Sequence, residues 1–320
     1  MLLQIVLLIA GLAGVLIGAE FLVNGSSSVA KKCGLSEFII GMTIVGIGTS
    51  TPEMVVSYMG AFKGNSDIAI GNVIGSNIYN IGLILGVTAL ISPLVITRQN
   101  LRRDIPVSIL ATVMLLFFGF FYQIFGVGYD GINFWGGLIL LLSFVLYLVL
   151  SFKNDTPDAE SDDEHKIKLY PTWKAVIMII SGLALLVGGG RLFVDSATEL
   201  AKSMGVSDKF IAITVVALGT SLPELATCVV AALKGRGQLA LGNIIGSNIA
   251  NILLILGGSA MIHEMSFANV DWVDAAFLFA TVLYVLISSF LFTKNKLDRF
   301  DGAILLLMQI GYMTYLILNI

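Results

Sequence analysis

The chain has 320 residues, of which 57% are hydrophobic and only 12% are charged. Soluble globular proteins carry about 25% charged residues, so this composition indicates a membrane protein rather than a pair of soluble domains. The formal net charge of −3 says little about partners, and we expect no nucleic-acid ligand.

Ten apolar runs follow one another along the chain, and most reach the roughly 20 residues that a helix needs to cross a bilayer. Backbone groups in lipid must form hydrogen bonds within their own segment, so we expect each run to be a helix. The runs lie near 2–24, 38–60, 68–95, 105–124, 132–152, 172–196, 210–233, 239–262, 272–293 and 302–319. The predicted fold class is therefore an all-α integral membrane protein with ten transmembrane helices.

The first run raises the alternative of a cleaved signal peptide. No positively charged segment precedes it, and it has no clear small-residue cleavage site. Its sequence also aligns with the start of the second half of the chain, where Gly18 matches Gly189 and Lys31 matches Lys202. We therefore interpret the first run as a true transmembrane helix.

An internal repeat with a constant offset of 171 residues relates the two halves of the chain. Between residues 41–86 and 212–257, 24 of the 46 aligned positions are identical. The most similar segments are Gly-Thr-Ser-Thr-Pro-Glu at 48–53 with Gly-Thr-Ser-Leu-Pro-Glu at 219–224, and Gly-Asn-Val-Ile-Gly-Ser-Asn at 71–77 with Gly-Asn-Ile-Ile-Gly-Ser-Asn at 242–248.

The repeat predicts three parts of the chain. Residues 1–152 are predicted to form a first five-helix repeat, in which the internally repeated motifs lie at about 38–95. Residues 172–320 are predicted to form a second, with the matching motifs at about 210–262. Equivalent helices are five crossings apart, and five is odd, so the two halves are predicted to be inverted relative to each other. The acidic segment 153–171 lacks the ligand spacing of an EF-hand loop, and we interpret it as a solvated linker.

The lysine and arginine residues predict the orientation in the membrane. With the N-terminus outside, 14 of these residues fall in inner loops and 4 fall on the outer side. Cytoplasmic loops of membrane proteins carry the excess of basic residues. We therefore predict that both termini lie outside and that the 153–171 linker is cytoplasmic.

Each repeat places a proline and a glutamate inside an apolar run. Pro52 has no backbone N–H, so a helix through it cannot bond the carbonyl of Gly48, and Pro223 has the same effect on Gly219. Broken helices are tolerated at membrane depth where other groups satisfy the backbone, and a bound cation is one such group. A carboxyl group in a membrane segment is costly, which favours a functional role for Glu53 and Glu224 over a protonated structural one.

The polar side chains of the two repeats offer only oxygen to such a cation. Hard cations such as Ca²⁺, Na⁺ and Mg²⁺ bind oxygen, and Ca²⁺ fits a flexible cage of 6–8 oxygens better than Mg²⁺ does. The cysteines Cys33 and Cys228 are interpreted as small packing residues, and we expect no histidine-based metal site. The candidate oxygen ligands are Thr49, Ser50, Glu53, Ser76, Asn80, Thr220, Ser221, Glu224, Ser247 and Asn251.

Two sets of residues in the repeated segments 71–77 and 242–248 are explained by helix packing rather than by cation binding. The glycines at 71, 75, 242 and 246 form small-xxx-small patterns typical of helix packing. The asparagines at 72, 77, 243 and 248 are predicted to form interhelical hydrogen bonds.

The duplicated motifs closely resemble those of the sodium/calcium exchanger family, within the cation/calcium antiporter superfamily. The likeness covers the whole five-plus-five plan, and the short central loop is similar to that of compact prokaryotic members, which implies a place in the inner membrane. The resemblance implies Ca²⁺ ligation by Glu53, Glu224, Thr49 and Thr220. It implies Na⁺ ligation by Gly46, Thr49, Ser50, Ser76 and Glu53 on one side and by Ala217, Thr220, Ser221, Ser247 and Glu224 on the other, with Asn80 and Asn251 in the middle.

The resemblance further implies exchange of three Na⁺ for one Ca²⁺ by alternating access, with the first and sixth helices sliding over the core. Some family members, including potassium-dependent exchangers, carry aspartate where Asn251 stands, so potassium dependence is not expected here. Ca²⁺/H⁺ antiport is the main alternative, and a cation channel is a further one. No enzyme motif is found and no cofactor is expected, and a monomer suffices because both repeats are in one chain.

Overall fold

The computed structural model describes residues 2–155, 168–204, 217–292 and 295–318. Most of the predicted acidic linker, at 156–167, lies outside the described residues, as does the beginning of the second repeat region, at 210–216. The described residues are helical apart from loops and four strands of two residues each.

Twelve helices are described, and several of them join end to end. The helices are α1 (Leu2–Cys33), α2 (Glu37–Thr49), α3 (Thr51–Phe62), α4 (Ser66–Ile91), α5 (Asn100–Phe125), α6 (Phe134–Lys153), α7 (Thr172–Ser203), α8 (Ala217–Thr220), α9 (Leu222–Leu233), α10 (Gly237–Ile262), α11 (Trp272–Phe290) and α12 (Arg299–Leu318). Within the described ranges, eight of them are long and apolar enough to span a membrane, or nine spans if α2 and α3 count as one. The predicted all-α membrane class is therefore confirmed.

The predicted helix break occurs in both halves. The axes of α2 and α3 differ by 50°, and Pro52 lies in the first turn of α3. Ser50 between them leaves helical geometry, with φ −81° and ψ 11°. Ser221 has nearly the same angles, φ −87° and ψ 4°, between α8 and α9, where Pro223 occupies the equivalent place. Each break follows from the missing N–H of the proline.

The two halves also share irregular backbone at equivalent positions. A π-helical stretch interrupts α4 at Asn80–Leu85, and another interrupts α10 at Asn251–Leu256, 171 residues later. A further π-helical stretch, Gly41–Val45, lies in α2, and its equivalent falls outside the described residues. Such π stretches are often found at functional sites. The stretches in α4 and α10 each begin at one of the two predicted asparagine ligands, Asn80 and Asn251.

Helices α4 and α10 form the centre of the molecule. In the apolar stretch that could cross a membrane, 72% of the residues of α4 and 94% of those of α10 are buried, compared with 22% in α1. These two helices carry the repeated segments 71–77 and 242–248. Helices α3 and α9, which carry the Pro-Glu motifs, pack beside them.

Helices α1 and α7 pack against each other through glycine. Gly18 faces Gly182, and a Cβ atom added to either residue would lie 2.8 Å from the carbonyl oxygen of the other. Seven residues earlier in α1, Gly11 faces Gly189, and seven residues later Gly25 faces Ala175. Residue numbers rise along one helix as they fall along the other, so the two helices are antiparallel. The small residues let the two backbones touch, as in close helix pairs of membrane proteins.

Two short strand pairs connect the halves at the loops. Strand β1 (Leu94–Val95) pairs with β4 (Lys296–Leu297), and β2 (Gly131–Ile132) pairs with β3 (Met265–Ser266), both antiparallel. The apolar runs along the chain contain no indication of these strands. Each pair takes one strand from the first half and one from the second.

Candidate cation site

The two glutamates of the repeated motif occupy the first turns of α3 and α9. Glu53 and Glu224 are each only 1% exposed. The Ser50 hydroxyl, at the break in the first half, donates a hydrogen bond to Oε1 of Glu224 at 3.0 Å. The Glu53 carboxyl group in turn interacts with the Thr220 hydroxyl from the break in the other half and with the charge of Glu224. The breaks therefore exchange contacts, and both carboxyl groups belong to one buried site.

A second set of contacts connects α2 with α10. The Ser247 hydroxyl donates to the Gly46 carbonyl oxygen at 3.2 Å. The Thr49 hydroxyl lies 3.4 Å from the same carbonyl oxygen and 3.2 Å from Oδ1 of Asn243. The resemblance had placed Gly46 and Ser247 in opposite ligand groups, and the structure places them in direct contact. Ser76 interacts with the Glu53 carboxyl group of its own half.

Five buried side-chain oxygens at this site have no hydrogen-bond partner among the described residues. Buried polar atoms are nearly always paired, and leaving one unpaired costs about 1–3 kcal/mol. The helices that carry these oxygens touch, because α3 packs on the π stretch of α10 and α9 packs on that of α4. The five atoms are Oε2 of Glu53, Oε2 of Glu224, Oδ1 of Asn80, Oδ1 of Asn251 and Oγ of Ser221.

This arrangement suits a cation that prefers oxygen. Two carboxylates can neutralise one divalent ion, and the amide and hydroxyl oxygens can add neutral ligands. Within the described ranges no group of three or more His, Cys, Asp or Glu side chains could hold a metal ion. The described side chains therefore offer a cation at this site carboxylate, amide and hydroxyl oxygens. Ala217, the predicted carbonyl ligand, is the first described residue of α8, and the residues before it lie outside the description.

Two asparagines outside the predicted ligand set form hydrogen bonds with the helices that carry the glutamates. Nδ2 of Asn72 donates to the Glu53 carbonyl oxygen at 3.0 Å and to the Ser57 hydroxyl at 2.9 Å. Its equivalent, Asn243, donates to the sulfur of Cys228 at 3.1 Å. Their prediction as interhelical hydrogen bonders is confirmed, and Cys228 is a hydrogen-bond acceptor as well as a packing residue. Their equal spacing in the two repeats was the only sequence signal for these contacts.

Comparison with known proteins decides the family. The family described as sodium/calcium exchanger protein matches residues 3–153 and 174–318. The chain belongs to this family. It is 39% identical to CaxA of Alkalimonas amylolytica over 317 residues, covering 98% of each chain. It is 33% identical to the sodium/calcium exchanger MaX1 of Methanosarcina acetivorans over 343 residues, covering 97% of each.

Solved structures give the same result for the fold of this exchanger-family chain. The sodium-calcium exchanger NCX_Mj, soaked with Na⁺ in the absence of Ca²⁺, superposes with a TM-score of 0.84 at 32% identity, covering 98% of each chain. The resemblance inferred from the repeated motifs is therefore confirmed. Members of this family are cation antiporters, which are transporters rather than enzymes.

Proposed function

We propose that this protein exchanges Na⁺ for Ca²⁺ across the prokaryotic inner membrane by alternating access. The observation that carries the proposal is the pair of buried carboxyl groups, Glu53 and Glu224, each with one oxygen that has no partner among the described residues. Family membership supports the identity of the ions.

The proposed architecture is ten membrane spans in two inverted five-helix repeats, with both termini outside. Several features support it. The bounds of α3 and α9, and those of α4 and α10, differ by 171 residues, and α1 is antiparallel to its equivalent α7. We assign α8 and α9 to one of the ten spans, as the equivalent of α2 and α3. Both halves of the site are in one chain, so a monomer is sufficient.

The coupling follows from competition for the same oxygens. Ca²⁺ is held by Glu53 and Glu224 together with Thr49 and Thr220, with Asn80 and Asn251 completing the middle of the site. Na⁺ uses the same carboxylates with flanking hydroxyl and carbonyl groups. An empty site would leave two uncompensated charges in a buried location, which is costly. The site therefore changes sides only when it is loaded. Three Na⁺ against one Ca²⁺ moves one net positive charge, so the exchange is electrogenic.

Potassium plays no part in this scheme. Asn80 and Asn251 occupy equivalent places at the start of the two π stretches. Both are neutral amides, so among the described residues the site has two carboxylates and no third charge to balance an additional monovalent cation. Ca²⁺ uptake is expected to be the same whether K⁺ is present on either side or absent.

Flux measurements in proteoliposomes test the proposal. Vesicles loaded with Na⁺ should take up ⁴⁵Ca²⁺ when they are diluted into Na⁺-free buffer, and a potential-sensitive dye should report net charge movement. A protein with Glu224→Gln, reconstituted at the same density, provides the matched control and should show background uptake. Uptake that follows a pH gradient and ignores the Na⁺ gradient would replace this proposal with Ca²⁺/H⁺ antiport, and unitary currents far above antiporter turnover would replace it with a channel.

A further inference from the structure

The two asparagines that precede the π stretches are joined across the centre of the molecule. Asn77 of α4 and Asn248 of α10 are 0% and 3% exposed. Nδ2 of Asn77 donates to the backbone carbonyl of Asn248 at 3.3 Å, and Nδ2 of Asn248 donates to that of Asn77 at 3.5 Å. A carbonyl oxygen only accepts hydrogen bonds, so each of these amides must turn its nitrogen toward the opposite backbone.

This orientation passes to the next pair of amides. With their nitrogens engaged, Asn77 and Asn248 present Oδ1 to the neighbouring residues. Oδ1 of Asn248 accepts from Nδ2 of Asn80 at 2.9 Å, and Oδ1 of Asn77 accepts from Nδ2 of Asn251 at 3.0 Å. An acceptor can be met only by a donor, so Asn80 and Asn251 must use their nitrogens here.

The remaining atom of each of these amides is then fixed as oxygen. Oδ1 of Asn80 and Oδ1 of Asn251 are buried and have no hydrogen-bond partner among the described residues. An amide without these hydrogen bonds could turn its NH₂ group, which repels a cation, toward the site. The hydrogen bonds described above remove that choice.

We propose that Asn77 and Asn248 are positioning residues, which turn the Asn251 and Asn80 amides so that oxygen faces the transported cation. The proposal rests on the proposed function, because it assigns to these residues the orientation of two ligands of that site. Each half orients the ligand of the other, since Asn77 acts on Asn251 and Asn248 acts on Asn80. Asn77 and Asn248 themselves do not touch the ion.

A double-mutant cycle tests the proposal on the purified full-length protein, with Ca²⁺ affinity measured by calorimetry. A tenfold change in affinity corresponds to about 1.4 kcal/mol, which lies within the range that one neutral hydrogen-bonding group contributes. Asn77→Ala and Asn251→Ala should each weaken Ca²⁺ binding about tenfold, and the double variant should also lose about tenfold. Positions that act independently would combine to about a hundredfold, and that result would overturn the proposal.

Two further variants separate positioning from general packing. Asn77→Asp keeps an acceptor for Asn251 and loses the donor to the Asn248 carbonyl, so its Ca²⁺ affinity should equal or exceed that of the wild type. A tenfold loss in this variant, folded according to its thermal unfolding, would contradict the proposal even if Asn77→Ala fails to fold. Thr112→Ala removes a buried hydrogen bond from α5, far from the motifs in sequence, and should lower the unfolding temperature without changing Ca²⁺ affinity.

The same data distinguish the proposal from the function on which it depends. A wild-type protein that binds neither Ca²⁺ nor Na⁺ would overturn both. Wild-type binding with an additive cycle would overturn only the positioning role of Asn77 and would leave the antiporter proposal intact.

Discussion

Replacing Glu224 with glutamine tests the charge balance at the site. Glu53 and Glu224 are each 1% exposed, so Ca²⁺ bound between them as proposed would be shielded from water and would depend on both charges. Glutamine has the same shape, and its oxygen can still accept from the Ser50 hydroxyl. Removing one partner of a buried charge pair costs about 3–5 kcal/mol. At about 1.4 kcal/mol per factor of ten, the Ca²⁺ affinity should fall by roughly two to nearly four orders of magnitude.

Thermal unfolding with and without Ca²⁺ measures this loss of affinity and also shows whether the substitution destabilises the fold. At a Ca²⁺ concentration 100 times its dissociation constant, the wild type should gain about 2.7 kcal/mol of stability. At that concentration the Glu224→Gln protein should gain about 0.4 kcal/mol or less. Without cations the variant should be at least as stable as the wild type, because one uncompensated buried charge is gone. The exposed Glu199→Gln provides a control with the same chemical change outside the site.

Two results would refute this reasoning. Wild-type Ca²⁺ affinity in Glu224→Gln would show that the carboxylate is not a ligand. A cation-free variant destabilised by several kcal/mol would show that the carboxylate holds the fold together rather than waiting for an ion.

Two further predictions concern the α1–α7 pair and its contact with the core. Gly182→Ala would place a methyl group 2.8 Å from the Gly18 carbonyl oxygen and should cost about 1–3 kcal/mol in thermal unfolding, whereas Gly188→Ala, which meets nothing within 4 Å, should not be destabilising; equal losses in both would contradict the close packing. Lys234→Gln removes an ion pair of 2.9 Å that joins the end of α9 to Glu20 of α1, and because both side chains are partly exposed it should change stability by less than about 1 kcal/mol. If α1 slides past α9 in each cycle, this variant should change the ⁴⁵Ca²⁺ uptake rate, by no more than about fivefold, with Ca²⁺ affinity unchanged; an unchanged rate would show that the contact does not break during transport.

The parts of the site that the sequence predicted depend on local chemistry. Proline breaks a helix wherever it stands in one, so the breaks at Ser50 and Ser221 could be placed from the motifs alone. Likewise, a carboxyl group in an apolar run is energetically costly to place in a membrane, so its presence indicates a functional site. Glu53 is indeed buried there.

The parts that could not be predicted depend on contacts between distant segments. That Ser247 meets Gly46, and that Asn251 donates to Asn77, follows from how α10 packs against α2 and α4, which no spacing within one segment specifies. Strands of two residues have too short a pattern to recognise. The seventh predicted span, 210–233, is also incomplete, because α9 has only 12 residues and residues 205–216 lie outside the described part of the chain.

The strand pairing makes each half of the chain depend on the other for its loops. Leu94 pairs with Leu297, and Gly131 pairs with Ser266, so each described strand has its partner in the other half. A half expressed alone would expose two unpaired strand edges and would carry only one of the two buried glutamates. Two halves made as separate polypeptides should therefore associate in the membrane and restore both strand pairs.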